Sequence, residues 1–313
     1  MKLSVVIPMF NEEKVVAESH RRMCSALEPL QSAGDSFELI FVNDGSRDGT
    51  ARIVVELARA DKRVRLIDFA RNFGHQVAVT AGVDNARGDA VAVIDADMQD
   101  PPEVILEMLA KWREGFDVVY GRRRTRAGET AFKKLTAKWF YRGINALVEM
   151  KFPVDTGDFR LIGRNVAEVV KSMPERNRYL RGMFAWVGFR QTAVEYDRAP
   201  RLAGETKYSL RKMLKLAVDG IVSFSFSPLR ILFQLGCCGM ALGFGGGLFA
   251  VVTQAWRHSW FYAALHLSSG FFFTGVLLAG MGILGAYVAR IADEVRGRPL
   301  YIIRGKIGFE EAE

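Results

Sequence analysis

The stretch Ala90-Val91-Ala92-Val93-Ile94-Asp95-Ala96-Asp97-Met98-Gln99-Asp100-Pro101-Pro102-Glu103 decides the prediction of the fold. Its apolar first part, Ala90 to Ile94, is typical of a buried strand, and this strand ends in acids and prolines. Two carboxylates one residue apart can converge on a divalent cation there, because the chain leaves its pleat. Mg²⁺ and Mn²⁺ prefer such hard oxygen ligands and share them with phosphates. We therefore interpret Asp95 and Asp97 as a metal-diphosphate site; the alternative is a solvated acidic turn.

Strand-like and helix-like runs alternate on both sides of this stretch. The predicted strands are Leu3–Ile7, Phe37–Val42, Val64–Phe69, Ala90–Ile94 and Val118–Tyr120, and the predicted helices are Glu12–Leu27, Thr50–Ala60, Gln76–Ala86 and Val104–Arg113. The alternation favours an α/β fold with a mostly parallel, doubly wound sheet. Ligands bind beyond the carboxyl ends of such strands, so the polar residues that follow the strands should gather at one edge. These residues are Asn11, Asn43 to Gly45, Asp68, and Asp95 to Asp97.

The composition excludes several classes of protein. Of the 313 residues, 50% are hydrophobic and 25% are charged, so the chain is neither disordered nor embedded in a membrane along its whole length. The three cysteines, Cys24, Cys237 and Cys238, have neither metal-ligand nor disulfide spacing, which indicates a reducing compartment. We expect no signal peptide, because Met1 and Lys2 lead directly into a strand-like run.

Two charge-free runs near the C-terminus predict membrane helices. Ile231 to Thr253 and Trp260 to Ala289 each exceed the roughly 20 apolar residues that cross a bilayer. Arginines and lysines flank the pair on the side of the N-terminal bulk, so the positive-inside rule places that bulk and both termini in the cytoplasm. We therefore expect two transmembrane helices within residues 229–290 and a cytoplasmic tail at 291–313 of a multi-pass protein of the inner membrane.

The net charge of +8 is concentrated beside apolar residues at helical spacing. Residues 129–150 form a basic amphipathic pattern with aromatic side chains, and residues 207–228 form a second one just before the first membrane run. We interpret both as interfacial helices on anionic lipid; the alternative is a pair of surface helices of a soluble domain. Lipid explains the charge better than nucleic acid does.

Three motifs in register give the chain a family resemblance: Ser4 to Glu12, Val42 to Thr50, and Asp95 to Asp97. Here the chain resembles the family 2 glycosyltransferases of the GT-A fold. The resemblance spans nearly the whole chain and implies a glycosyltransferase domain over residues 1–206. Four further motifs look like the polyisoprenyl-phosphate glycosyltransferase branch: Arg71 to Gln76, Asp95 to Glu103, Asp155 to Arg160, and Gly204 to Ser209. That branch includes dolichyl-phosphate mannose synthases and bacterial undecaprenyl-phosphate glucosyltransferases, and two C-terminal membrane helices favour the bacterial members.

The resemblance implies roles for individual residues. The implied donor-nucleotide residues are Pro8, Asn11, Glu12, Asp44, Asp95 and Ala96, with Asp44 reading the base. The implied ligands of Mg²⁺ or Mn²⁺ are Asp97, Gln99 and, less directly, Asp95. The implied catalytic residues are Asp158, Arg160 and Asp97. The candidates for acceptor or phosphate binding are Arg122, Arg124, Arg198, Arg201 and Lys207, because arginine suits bidentate phosphate contact.

Asp158 matches the position usually described as the catalytic base. A phosphate monoester acceptor has a second pKa of about 6 and needs little deprotonation at neutral pH. Asp158 therefore either orients another group or, as the structural alternative, pairs with Arg160. We interpret His75 as a structural loop residue.

The expected reaction transfers one sugar, with inversion, from a nucleotide diphosphate sugar to a polyprenyl phosphate at the cytoplasmic membrane face. UDP-glucose and undecaprenyl phosphate are the expected substrates. GDP-mannose, UDP-N-acetylhexosamine and UDP-4-deoxy-4-formamido-arabinose are alternative donors, and a non-catalytic nucleotide-sugar-binding scaffold is an alternative of another class. A small-residue face in the first membrane helix predicts a homo-oligomer.

Overall fold

The computed structural model describes residues 1–124, 156–198 and 259–309, together with 229, 231–239, 241 and 245. The two predicted interfacial helices, 129–150 and 207–228, lie outside the described residues. Arg201, Lys207 and most of the first predicted membrane helix also lie outside them.

The described residues include eight strands, which form one sheet, and seven helices. The strands are β1 (Lys2–Met9), β2 (Ser36–Asn43), β3 (Val64–Phe69), β4 (Ala90–Val93), β5 (Val118–Arg123), β6 (Thr156–Gly163), β7 (Gln191–Tyr196) and β8 (Ile303–Ile307). The helices are α1 (Val16–Ser32), α2 (Thr50–Ala60), α3 (His75–Asn85), α4 (Val104–Arg113), α5 (Arg164–Ser172), α6 (Leu180–Trp186) and α7 (Ser259–Val295).

The spatial order of the strands is β7-β5-β6-β4-β1-β2-β3-β8. Neighbours pair in parallel from β4 through β1 and β2 to β3, and β5 pairs in parallel with β7. Only β6 and β8 run antiparallel to the other described strands. The predicted α/β fold with a mostly parallel sheet is confirmed.

The first helix begins later than the sequence pattern indicates, at Val16 rather than Glu12. Residues 12 and 13 instead hold the loop that follows β2. The backbone N–H of Glu12 donates to Thr50 Oγ1 at 2.9 Å, and the Glu13 carboxylate accepts from the backbone N–H of Gly49 at 3.0 Å. The turn between β1 and α1 is therefore hydrogen-bonded to the start of α2 at the carboxyl edge of the sheet.

The sheet buries both of its faces, which explains the nearly continuous apolar runs in its central strands. Val5 faces one core, which it shares with residues of α1, α2 and α4. Val6 faces the other core, which it shares with residues of α3, α5 and α6. Both side chains are fully buried. This two-sided packing holds the loops at the carboxyl edge on a rigid base.

The C-terminal segment completes the sheet. We expected residues 291–313 to be a tail, but α7 continues to Val295 and β8 then pairs antiparallel with β3. The backbone N–H of Ala70 also donates to the carbonyl of Ile302 at 2.9 Å. The alternation of Ile303 and Ile307 with charged residues is the sequence signal of this strand.

One helix among the described residues is long and apolar enough to cross a membrane, over Phe272–Val295. Its large side chains are exposed: Leu277 and Met281 are each 68% accessible, and Val295 is 80% accessible. Residues 231–239, which belong to the first predicted membrane run, are helical, and most of the rest of that run lies outside the described residues.

Gly82 lets α3 pack closely on β1, which gives a first prediction. A Cβ at this position would lie 2.1 Å from Cγ1 of the buried Val6. We expect Gly82→Ala to lower the free energy of unfolding by about 1–3 kcal/mol, because the core must shift to accept it. The midpoint of denaturant unfolding of the purified protein measures this change.

The matched control is Gly305→Ala, because a Cβ there meets no heavy atom within 4 Å. It should leave the midpoint nearly unchanged. Equal midpoints for Gly82→Ala and the wild type would contradict the close packing.

Candidate functional site

A cavity of about 410 Å³ opens at the carboxyl ends of β1, β2 and β4. It lies at the edge where the sequence predicts a ligand site. Its lining residues come from the turns after these strands and from the start of α3: Pro8, Met9, Phe10, Glu12, Asp44, Asn72, Gly74, His75, Ala78, Asp95, Ala96 and Asp97. Five of the six predicted donor residues are therefore in its wall.

Asn11 is the predicted donor residue outside that wall. Its backbone has a φ of +57°, a left-handed conformation that asparagine tolerates better than most residues. Its N–H donates to Ser46 Oγ at 2.9 Å, and its Oδ1 accepts from the N–H of Arg47 at 2.9 Å. Asn11 thus joins the turn after β1 to the turn after β2.

Asp44 is buried and bonded to the loop before α3. Its carboxylate accepts from Asn72 Nδ2 at 2.8 Å and from the backbone N–H groups of Phe73 at 2.6 Å and Gly74 at 3.0 Å. Burial raises the pKa of Asp44, and the hydrogen bonds from Phe73 and Gly74 offset part of that effect. In this structure Asp44 holds a loop of the cavity wall, a contact that the sequence motif does not predict.

Asp95 and Asp97 enter the cavity side by side, as expected from their position after β4. The chain turns sharply directly after Asp97, since Met98 has a φ of +57°, and the N–H of Gln99 donates to Asp97 Oδ1 at 3.2 Å. The Asp95 side chain is 35% exposed, and burial together with neighbouring carboxylates raises its pKa. Two carboxylates at one cavity wall fit a hard divalent cation. Gln99 follows on the same turn but is outside the cavity lining.

Asp158 contacts the charged or titratable side chains of Arg181 and His75 and is 12% exposed. Arg181 donates to both of its oxygens, from Nε at 2.8 Å and from Nη2 at 3.1 Å, and Gln76 Nε2 donates at 3.2 Å. Burial alone would raise the pKa of Asp158, but the charge and hydrogen bonds of Arg181 and His75 hold it well below its usual range. A carboxylate with a depressed pKa is a weak proton acceptor.

Arg160 is not the arginine that pairs with the Asp158 carboxylate. It is 5% exposed, and it donates to the backbone carbonyls of Gly157 at 2.9 Å and Asp158 at 3.3 Å. Its guanidinium carbon lies 4.7 Å from the ring centroid of Phe184. Burial lowers the pKa of Arg160 to about 10. The alternative of an Asp158–Arg160 pair is therefore wrong, and Arg160 shapes the backbone beside Asp158.

His75 belongs to the cavity wall and not, as we interpreted it, merely to a structural loop. It is the first residue of α3, and its Nε2 lies 3.3 Å from Asp158 Oδ2 and 3.6 Å from Asp95 Oδ1. Burial disfavours its charge, but the hydrogen bond to Asp158 and the two carboxylate charges raise the pKa of His75 to about 9. It connects the two predicted acidic positions.

The described candidates for acceptor binding all have acidic partners. Arg122 donates to Glu195 Oε1 from Nε at 3.1 Å, and Arg124 lies 3.8 Å from Asp197. Arg198 Nε lies 3.2 Å from Oδ1 of Asp100, whose exposed fraction is only 2%. None of these three lines the cavity. Arg122 and Arg124 are about half exposed, whereas Arg198 compensates a buried charge.

Sequence reasoning missed three members of the site: His75, Gln76 and Arg181. His75 and Gln76 occur in a motif that supports the family resemblance, so their position at the start of α3 was a usable signal. Arg181 occurs in none of the motifs, and only the fold brings it to Asp158.

A separate cluster of metal-ligand residue types, His20, Cys24 and Asp61, lies on α1 and at the end of α2. Arg63 already occupies it, since its guanidinium donates to Asp61 Oδ2 at 2.7 Å and to Cys24 Sγ at 3.5 Å. The cluster therefore stabilises the contact between α1 and the start of β3.

The Arg198–Asp100 pair gives a second prediction. Arg198→Gln removes the cation beside a buried carboxylate that otherwise accepts from the Tyr196 hydroxyl at 2.6 Å. We expect the free energy of unfolding to fall by about 1–3 kcal/mol, because an uncompensated buried charge is costly. The midpoint of denaturant unfolding measures it.

Arg124→Gln is the control, because exposed ion pairs contribute little. Equal stability of the two variants would contradict the structural role of Arg198 and favour the predicted role in binding phosphate.

Residues 4–170 match the family model described as Glycosyl transferase family 2. The glycosyltransferase YkcC of Bacillus subtilis is 46% identical over 312 residues, which cover 99% of this chain and 95% of the relative. The bactoprenol glucosyl transferase of Shigella phage SfII is 40% identical over 307 residues, which cover 97% and 98%.

Among solved structures, mannosyltransferase PcManGT from Pyrobaculum calidifontis, in complex with GDP-Man and Mn²⁺, is 15% identical. Its TM-score is 0.49, over 95% of this chain and 88% of that chain. With the family match and with relatives of at least 40% identity along nearly its whole length, this chain belongs to glycosyltransferase family 2, as its motifs predicted.

Proposed function

We propose that this glycosyltransferase moves a single sugar from a nucleotide diphosphate sugar to a polyprenyl phosphate at the cytoplasmic membrane face. UDP-glucose and undecaprenyl phosphate are the proposed substrates. The observation that carries the proposal is the cavity at the carboxyl edge, where Asp44, Asp95 and Asp97 meet in a chain of this family. The acceptor is inferred from relatives that are named bactoprenol glucosyl transferases and that match along almost the whole chain.

The donor would occupy the cavity with its base near Asp44 and its diphosphate near the aspartate pair. Pro8, Glu12 and Ala96 line the same cavity. Asp97, Gln99 and Asp95 would hold Mg²⁺ or Mn²⁺, which when bound would neutralise charge that develops on the departing nucleoside diphosphate. A loop held by Asp44 would close the base pocket on one side.

The proposed reaction is a displacement at the anomeric carbon. An oxygen of the acceptor phosphate forms a bond to C1, while the bond from C1 to the diphosphate oxygen breaks and the nucleoside diphosphate leaves. The attack from the opposite face inverts the anomeric configuration. Because a phosphate monoester has a second pKa of about 6, the acceptor is largely dianionic at neutral pH and needs aiming more than deprotonation.

Asp158 would help to orient the acceptor phosphate and would not act as a base of ordinary strength. Its depressed pKa makes it a poor proton acceptor, and its bonds to Arg181 and Gln76 fix its position. Through its contact with His75 it would also orient a side chain of the cavity wall. Asp158 and Arg181 would then form one positioning unit beside the sugar.

Membrane attachment would bring the acceptor to this site. The exposed apolar surface of α7 fits lipid, and we propose a second transmembrane helix within residues 229–253. Arg122 and Arg124, with Arg201 and Lys207, would meet the acceptor phosphate or lipid headgroups. The catalytic domain and both termini would lie in the cytoplasm, and the protein would assemble as a homo-oligomer.

A third prediction tests the reaction itself. We expect the purified full-length protein, with Mg²⁺ and undecaprenyl phosphate, to move label from UDP-glucose into the lipid phase. The panel includes GDP-mannose, UDP-N-acetylglucosamine and UDP-4-deoxy-4-formamido-arabinose. Transfer from another donor alone would show that the proposed donor, UDP-glucose, is wrong. No transfer at any metal concentration would contradict the proposed function.

The matched pair of variants in this assay is Asp97→Asn and Glu103→Gln. Asp97→Asn should reduce transfer by at least about 100-fold, because a cation ligand at the diphosphate is lost. Glu103 belongs to the same stretch but is 60% exposed, so Glu103→Gln should stay within about two-fold of the wild type. Nucleotide binding without transfer in the wild type would favour the scaffold alternative.

A fourth prediction tests the Asp158–Arg181 unit. Arg181→Met should lower kcat by about 10- to 100-fold with a smaller change in KM for the donor, because Asp158 loses its bidentate partner. Arg181→Lys should recover part of that loss. Arg164→Met is the control, since Arg164 pairs with Glu168 away from the cavity. An unchanged kcat in Arg181→Met would show that the pair is only structural.

A further inference from the structure

The guanidinium of Arg304, on the C-terminal strand β8, contacts the carboxyl end of β3. Its Nε and Nη2 each lie 2.8 Å from Asp68 Oδ2. The Asp68 side chain is 16% exposed and that of Arg304 is 58% exposed. Arg304, which follows α7 in the chain, therefore pairs with a carboxylate at the same sheet edge as the cavity.

The second oxygen of Asp68 continues the contact into β2. Asp68 Oδ1 accepts from Asn43 Nδ2 at 2.7 Å, and Asn43 Oδ1 accepts from the backbone N–H of Ser46 at 3.2 Å. Asn43 is fully buried, so its amide has no water to replace these partners. Asp68 thereby sets the orientation of the Asn43 side chain.

Asn43 immediately precedes Asp44, the residue that lines the cavity and holds the loop before α3. The backbone around them has little freedom. A Cβ on Gly45 would lie only 2.4 Å from the carbonyl carbon of Arg71, so the two loops are in direct contact. A shift of Asn43 would therefore displace Asp44 or the loop that it holds.

We propose that Arg304 is a positioning residue for the donor nucleotide, acting through Asp68 and Asn43 on Asp44. This inference rests on the proposed function, in which Asp44 faces the base. It also makes β8 a part of the donor site and not only an edge strand. Residues 296–302 separate β8 from α7, the helix that is long and apolar enough to cross a membrane. A short stretch of chain therefore links the end of this helix to the strand that carries Arg304.

The C-terminal strand offers its own control for simple strand docking. Lys306 lies two residues further along β8, and its Nζ donates to Asn85 Oδ1 at 2.7 Å. Asn85 is the last residue of α3, whereas the cavity is at the first residue, His75. Loss of the Lys306 contact should loosen β8 to a similar degree without reaching Asn43.

The experiment compares Arg304→Gln, Arg304→Lys and Lys306→Gln in the full-length protein with Mg²⁺. Isothermal titration gives the Kd for UDP and for GDP, and the transfer assay gives KM for the sugar nucleotide and kcat. We expect Arg304→Gln to weaken binding of the preferred nucleotide by about five-fold or more and to raise KM similarly, with kcat nearly unchanged. Arg304→Lys should recover part of the affinity, and Lys306→Gln should stay within about two-fold.

If Arg304→Gln does not fold, Arg304→Lys and Asp68→Asn carry the test, and Asp68→Asn should also weaken nucleotide binding. Wild-type affinity in every folded variant of Arg304 and Asp68 would overturn the inference, and so would equal weakening by Lys306→Gln. Nucleotide binding without any transfer to a polyprenyl phosphate would overturn the proposed function alone. A wild type that binds neither UDP nor GDP would overturn both.

Discussion

The site depends on the positive charges of Arg181 and His75, which compensate the negative charge of Asp158. Asp158, Asp95 and Asp97 gather at one edge of the sheet, and without nearby cations their mutual repulsion would oppose the fold. Arg181 binds both oxygens of Asp158, and His75 lies between Asp158 and Asp95. This arrangement keeps Asp158 ionised and fixed in place. It favours a carboxylate that positions its neighbours over one that accepts a proton.

The same edge is assembled from long-range contacts that brace the loops of a parallel sheet. Asn11 joins the turns after β1 and β2, Asp44 joins the turn after β2 to the loop after β3, and Asp68 joins β3 to both Asn43 and Arg304. Each connection uses a polar side chain near a strand end, where the backbone no longer forms hydrogen bonds with the neighbouring strand. The cavity is thus preorganised by polar groups, most of which, unlike Asp44, are outside its lining.

Apolar periodicity predicts the first five strands and the edge at which ligands bind, because each of these strands is a local pattern with buried faces. The aspartate pair after β4 is predictable for the same reason. The contacts of Arg181 and of Arg304 on β8 are not, since their partners lie far away in the chain: Asp158 is 23 residues from Arg181, and Asp68 is 236 residues from Arg304. The family resemblance names Asp44 and Asp158, but it does not reveal that neighbouring loops and Arg181 hold them.

The most direct test of the proposed donor site is a structure of the full-length protein with Mn²⁺ and the nucleoside diphosphate that it binds. We expect an anomalous manganese peak within about 2.5 Å of the Asp97 carboxylate, with the base beside Asp44 and with Asp158 still bonded to Arg181. A manganese peak away from Asp95 and Asp97, or a base bound outside the cavity at the ends of β1, β2 and β4, would contradict it.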